Sequence, residues 1–161
     1  MKETLADALK IEGGQEMIPV ISAIVNAGVP VVGHLGLTPQ SVNKFGGYGL
    51  RAKDEAEAAK LRADAKALEA AGCFAIVLEK IPASLAAMVA GEVTVPIIGI
   101  GAGAEVDGQV LVGQDMLGMG GMFRPKFVRQ YLNLHDEIAD AVRRYSADVK
   151  GGTFPGPDEQ Y

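Results

Sequence analysis

Four residues in the first half of this 161-residue chain have the types and spacing to do chemistry together: Lys10, Glu12, His34 and Glu79. Lys10 and Glu12 stand two apart just before Gly13-Gly14. Side chains alternate along a strand, so a strand over 7–12 (DALKIE) carries both on one side. His34 follows Gly33 and a β-branched run (Val29, Val31, Val32), and the polar, turn-like LGLTPQS comes after it. Glu79 directly follows the apolar run FAIVL. Charged or polar groups left unpartnered in an apolar rim cost several kcal/mol. Their common place at strand C-terminal ends therefore implies one shared polar pocket. In folds built on parallel strands, ligand sites gather at that end.

Each residue has a chemical reading and a plainer one. A carboxylate directly after FAIVL is partly desolvated, which strengthens it as a proton acceptor near neutral pH; otherwise Glu79 pairs with Lys80 or caps a helix. Glu12 suits a hard cation such as Mg²⁺, which commonly takes only one or two carboxylates plus water and substrate oxygens; otherwise it pairs with Lys10. His34 lines the pocket or is a satisfied rim histidine. The stretch Gly99–Ala104 formally fits G-x-G-x-x-G/A after a strand, with Asp115 near the distance of a ribose-binding acid. However, EVDGQ before Val110 is too short and Gly-interrupted for the crossover helix, so a Gly-rich loop closely approached by its surroundings is the better reading. Met116, Met119 and Met122 lie among glycines and read as loop residues.

The elements that must hold these groups follow from periodicity. Met17, Val20, Ile21, Ile24 and Val25 have helical spacing, with Pro19 tolerable in the first turn and Gly28 as the stop. A second helix spans 53–72, a short one 82–91. Strands are predicted over 7–12, 29–34, 74–78, 95–100 and 110–112, with a long loop over 38–51. Phe127, Tyr131, Leu134, Ile138, Val142, Tyr145 and Val149 step by four and three, which predicts a long amphipathic helix closed by Gly151-Gly152 and packed on the barrel or on another subunit. Strands that are apolar on both faces and alternate with helices signal a covered parallel sheet. A closed (β/α)8 barrel typically needs ~250 residues and rarely fewer than ~200. The expectation is therefore one domain, residues 1–161, an α/β chain of (β/α)8 TIM-barrel type holding about the last five strand-helix units.

Composition sets the outer bounds. At 48% hydrophobic, the chain is long enough for a proper core. A net charge of −5, with no Lys/Arg cluster, leaves no footprint for nucleic acid. The single cysteine, Cys73, excludes an internal disulfide framework and reads as a buried structural thiol. Every apolar run is broken by Gly or Pro well short of ~20 residues, and no stretch has a signal-peptide layout. A soluble, cytoplasmic protein is expected.

In order and at natural spacing, KIEGG, GHLGLTPQSVN-x-FGGY, ALEAAGCFAIVLEKIP, VPIIGIGAG with DGQVLV, and PKFVRQY closely resemble the ketopantoate hydroxymethyltransferase family. The resemblance runs from about Ala6 to the tail. It implies a (β/α)8 barrel, large homo-oligomers, and Mg²⁺-dependent transfer of a hydroxymethyl group. The donor would be 5,10-methylenetetrahydrofolate and the acceptor the 2-keto acid 3-methyl-2-oxobutanoate, giving 2-dehydropantoate in pantothenate biosynthesis. By resemblance Lys10 binds the keto acid, Glu12 belongs to the metal site, His34 lines the substrate pocket and Glu79 is the catalytic proton acceptor. The family's first strands, with two aspartates that bind metal and substrate, have no counterpart here. A non-catalytic remnant acting as a structural or assembly unit is therefore the alternative.

Overall fold

Five parallel strands add to one sheet in the order in which they occur along the chain. They are β1 (Leu9–Glu12), β2 (Val31–Gly36), β3 (Ala75–Glu79), β4 (Ile97–Ile100) and β5 (Gly108–Gln109). Between them lie α1 (Ile18–Asn26), a helical turn α2 (Val42–Phe45), α3 (Glu55–Ala70) and α4 (Ala83–Glu92). The computed structural model describes residues 3–120 and 124–161; Met122 of the Gly- and Met-rich loop lies outside them. A doubly wound sheet reverses its strand order at a switch point. This one does not, and grows in one direction as an arc of a (β/α)8 barrel does. The fold is α/β of the barrel type.

Register and pleat sort the residues onto two faces. Leu9 pairs with Val31, Lys10 with Val32 and Glu12 with His34, while His34 pairs with Val77 and Gly36 with Glu79. The helix-covered face is the core, where Val31, Leu35, Ile76, Leu78 and Ile97 pack with Ile21, Leu68 and Leu85. By alternation the opposite face carries Lys10, Glu12, Val32, His34, Val77, Glu79 and Ile98. Of these, Val32, Val77 and Ile98 are only half-buried. Cys73 is buried, and burial pushes its thiol pKa up, which makes it inert.

Local signals place the helices largely as expected. Pro19 sits in the first turn of α1, and Gly28 takes φ +82° just beyond its end. The Asp54 carboxylate accepts the Glu57 N–H at 2.9 Å and caps α3. The first strand begins at Leu9, whose N–H bonds the Pro30 carbonyl, rather than at Asp7. The fifth lies at Gly108–Gln109 rather than Val110–Val112. Asp107 causes that shift: its carboxylate accepts Ile97 N–H at 2.8 Å and its own N–H donates to Ile97 O, which fixes the pairing early. The 38–51 loop is partly helical, with a 3-10 turn at Pro39–Ser41 leading into α2.

The chain divides into two compact units, Met1–Val110 and Leu111–Tyr161. The second holds a helical turn, α5 (Gly113–Met116), and α6 (Leu134–Gly151), which ends at Gly152 in the left-handed region. Phe127 and Tyr131 are not part of that helix, although they share its spacing. The amides of Tyr131, Leu134 and His135 donate to the carbonyls of Met116, Leu117 and Gly118, so the approach is tied to the Gly-rich turn instead. On α6 the stripe Ile138, Val142, Tyr145 and Val149 is exposed, with Phe154 edge-on to Tyr145 at 5.3 Å between ring centroids. Among the described residues no helix is long and apolar enough to cross a membrane.

Two consequences can be measured. Gly36 has φ +88°, and a Cβ there would stand 2.2 Å from the Glu79 carbonyl oxygen. Gly36→Ala is expected to cost roughly 2–4 kcal/mol in urea denaturation, from left-handed strain plus backbone overlap. Glu69 ties α3 to the entry of β4, accepting Thr94 Oγ1–H, Thr94 N–H and Val95 N–H at 2.7, 2.6 and 3.1 Å. These bonds, that of the Thr94 hydroxyl foremost, hold its carboxyl below the ordinary 4.5. Glu92 is held low in the same way, by Arg62 and then Lys66. A lowered native value contributes stability above the unfolded value and loses it as pH falls through the native one. The melting temperature should therefore hold from neutrality to about pH 5 and fall below it, with a shallower fall in Glu69→Gln.

Candidate functional site

At the C-terminal ends of β1, β2 and β3, parallel register sets the side chains of Lys10, Glu12, His34 and Glu79 around one buried imidazole. His34 is 1% exposed. Lys10 Nζ lies 3.3 Å from His34 Nδ1, and Glu12 Oε1 stands 3.6 Å from the same nitrogen. Glu79 Oε2 is 3.1 Å from Nε2 on the opposite edge of the ring. An ammonium can only donate, so Nδ1 is the acceptor toward Lys10 and the neutral ring carries its proton on Nε2, facing Glu79. That contact is close but misaligned, and Nε2 has no well-directed hydrogen-bond partner. The Glu79 carboxylate is thus near the ring without being locked to it.

All four expected residues therefore meet, and two of the plainer readings fail. Lys80 does not pair with Glu79; its ammonium donates to the Tyr48 carbonyl. Glu12 directs Oε2 to the Gln40 N–H at 2.9 Å, so the start of the 38–51 segment grips the metal-site candidate. The Gly99–Ala104 stretch is not followed by a helix. Gly103 lies where a Cβ would stand 2.4 Å from the Ala83 Cβ, so its glycine serves close approach to α4.

One buried carboxylate escaped the sequence reading. Asp64 is 4% exposed on α3, beside a cavity of 570 Å³ that reaches His34 and Gly14. The signal was available, because Asp64 falls on the stripe Leu61, Ala65, Leu68 that α3 buries. Its Oδ1 accepts Gln15 N–H at 3.2 Å and its Oδ2 takes Lys60 Nζ at 2.5 Å. Desolvation works against the charge on Lys60, but the bond to Asp64, with the charges of Asp64 and Glu16, outweighs it and raises the lysine above its usual value.

A magnesium ion can be tested against these donors. A hard dication wants about six oxygens and commonly one or two carboxylates. Glu12 offers one, with Lys10 and Glu12 both converging on the same nitrogen of His34, while Glu79 lies at the other ring nitrogen. Among the described residues no group of three or more His, Cys, Asp or Glu side chains could hold a metal. The set does not make a magnesium site by itself. Calorimetric titration of this chain with MgCl₂ is expected to show no saturable binding at sub-millimolar concentration, and Glu12→Gln should leave that trace unchanged.

Comparison with known proteins adds a family to this geometry. Residues 1–157 match the family described as ketopantoate hydroxymethyltransferase. The 3-methyl-2-oxobutanoate hydroxymethyltransferase of Bacteroides thetaiotaomicron is 63% identical over 161 residues, which is all of this chain and 59% of that protein. The protein of the same name from Flavobacterium johnsoniae is 59% identical over the same spans. This chain thus spans 59% of the length of these relatives. Among solved structures, the YdjI aldolase of Escherichia coli K12 superposes with a TM-score of 0.41 at 16% identity, covering 70% of this chain and 47% of that one, a likeness too distant to bear on the argument.

Proposed function

This chain belongs to the ketopantoate hydroxymethyltransferase family, and from that premise we propose that its rim enolises a branched 2-keto acid, 3-methyl-2-oxobutanoate, for hydroxymethyl transfer in pantothenate biosynthesis. The observation that carries the reading is the Glu79 carboxylate, 3.1 Å from one edge of a buried imidazole whose other edge meets an ammonium. A 2-keto acid brings a carboxylate and a carbonyl oxygen. Lys10 would counter the first charge, and the His34 Nε2–H, unsatisfied as it stands, would bond an oxygen of the substrate. Glu79 would then remove the proton from C3, with negative charge gathering on the carbonyl oxygen. Donors already aimed at developing charge are the largest single source of such acceleration. The resulting enolate carbon would attack the formaldehyde released when one water hydrolyses 5,10-methylenetetrahydrofolate to tetrahydrofolate, and the new alkoxide would take up a proton to become the hydroxymethyl group.

By resemblance to the family a Mg²⁺ ion would supply Lewis-acid assistance here, with Glu12 the residue of this chain that would help to hold it. No step here is drawn through the metal, because Glu12 alone does not complete its shell. On this reading the enzyme works in the cytoplasm as a homo-oligomer on small-molecule substrates, as a single-domain portion of a barrel. A second reading, a non-catalytic assembly unit, draws on the half-buried Val32, Val77 and Ile98 of the inner face and on the exposed stripe of α6.

The two readings part at one measurement. Deuterium uptake at C3 of 3-methyl-2-oxobutanoate, followed by NMR without folate, should exceed the buffer rate with the native chain. Glu79→Gln should lower it by about 10²–10⁴-fold, the usual contribution of a general base. Uptake equal to buffer, in a chain with native circular dichroism, would sink the catalytic reading and favour the assembly unit.

A further inference from the structure

We propose that Asp64 is a positioning residue, a buried carboxylate on α3 that clamps the Gly13-Gly14-Gln15 turn and thereby holds Glu12 at the rim. Its bearing on catalysis rests on the reading of the rim given above. The turn needs such a hold. Gly13 takes φ +119° and Gly14 follows it, so two residues without side chains come directly after Glu12. Glycine pairs have wide conformational freedom, so a strand end that runs into one depends on what grips the turn as well as on its ladder pairing. From the sheet side, Gly13 N–H donates to the His34 carbonyl at 3.1 Å. From the helix side, Asp64 Oδ1 accepts the Gln15 N–H.

Contact is as tight as it can be made. A Cβ at Gly14 would lie 2.2 Å from Cγ and Oδ2 of Asp64. Gly14 is therefore the only residue type that lets the carboxylate reach Gln15. Lys60 anchors the other oxygen and reaches on to Glu16 at 3.4 Å, so the same lysine spans clamp and turn. Asp64 occupies a position where an apolar residue would pack with Leu61, Ala65 and Leu68 at lower desolvation cost. What a carboxylate adds there is a directed acceptor for one backbone amide, three residues from Glu12.

The test uses the whole chain without substrate, with isotope labels that report the Glu12 carboxyl carbon and the Gln15 amide. In Asp64→Leu the Gln15 amide should exchange about tenfold faster or more, while amides of β3 keep their protection. The Glu12 carboxyl signal should shift or broaden. Asp64→Asn keeps an acceptor at Oδ1 and should restore both. Gly14→Ala drives its Cβ into the carboxylate and should move the Glu12 signal with Asp64 intact, so the test survives if the leucine variant does not fold. A Glu12 signal unmoved in both Asp64→Leu and Gly14→Ala would overturn the proposal, leaving Asp64 a packing residue. An asparagine variant that behaves like leucine would overturn it too. Neither signal depends on turnover, so a native chain that fails to enolise the keto acid would remove the catalytic reading and leave the clamp standing. Where uptake at C3 is seen, Asp64→Leu should lower it and Asp64→Asn should recover it.

Discussion

Parallel pairing of β1 with β2 and of β2 with β3 is the constraint from which the rest of the rim follows. The register sets Glu12 level with His34 and Glu79 level with Gly36, with the Lys10, Glu12, His34 and Glu79 side chains on the face opposite the core. A shift by one residue in β1 would send Lys10 and Glu12 into the helix-covered core and bring Leu9 and Ile11 to the site. That exchange is unfavourable because it would turn two charged side chains toward Val31, Ile76 and Leu78 and take the partly buried Ile11 away from the core. Hydrophobic burial on the outer face thus fixes the geometry of the polar inner face.

Around this frame the loops act as wedges and straps. Glu12 holds the Gln40 amide, which sets the start of the long segment after β2. The Glu79 carbonyl accepts the Leu37 amide at 2.8 Å, and the next carbonyl, that of Lys80, accepts the Arg51 amide at 2.9 Å. The two ends of the segment are therefore tied to the strand that carries the proposed base. Lys80 itself sits at φ +50°, an uncommon conformation for a lysine, with its ammonium donated to the Tyr48 carbonyl. The uncommon backbone at Lys80, next to Glu79, is held in place by these bonds. Gly36 makes the arrangement possible, because any side chain there would collide with the Glu79 backbone.

Electrostatics at the rim are arranged by direction more than by number. His34 separates two carboxylates, with the ammonium of Lys10 on the Glu12 side. Among the described residues no lysine or arginine pairs with Glu79, since Lys80 is turned away. The cluster is thus polarised, with an ammonium at one edge of the imidazole and a carboxylate at the other.

Much of this was legible in the residues alone. Lys10, Glu12, His34 and Glu79 could be read as one set because each stands at the C-terminal end of an expected strand, and alternation put Lys10 and Glu12 on one side. A helix from Met17 to Gly28 and helices over 53–72 and 82–91 were visible from periodicity, Pro19 and the stop glycines, and they lie at Ile18–Asn26, Glu55–Ala70 and Ala83–Glu92. Local patterns failed where backbone donors were spent elsewhere. Phe127 and Tyr131 have helical spacing, but the Tyr131 and Leu134 amides serve the Gly113–Gly118 turn, and the helix starts only at Leu134. Val110 and Val112 have strand propensity, but Asp107 pins the pairing at Gly108. Asp64 was hidden for a related reason: its partner Gln15 is 49 residues away, and only packing of α3 on the β1–α1 turn joins them. Side-chain periods and turn chemistry are properties of neighbouring residues, so the sequence by itself determined most element types, the sidedness of Lys10 and Glu12, and which polar groups stand at the strand ends. Which nitrogen of His34 faces which carboxylate, and what grips the glycine pair behind Glu12, depend on contacts between distant segments, and only the tertiary structure decided them.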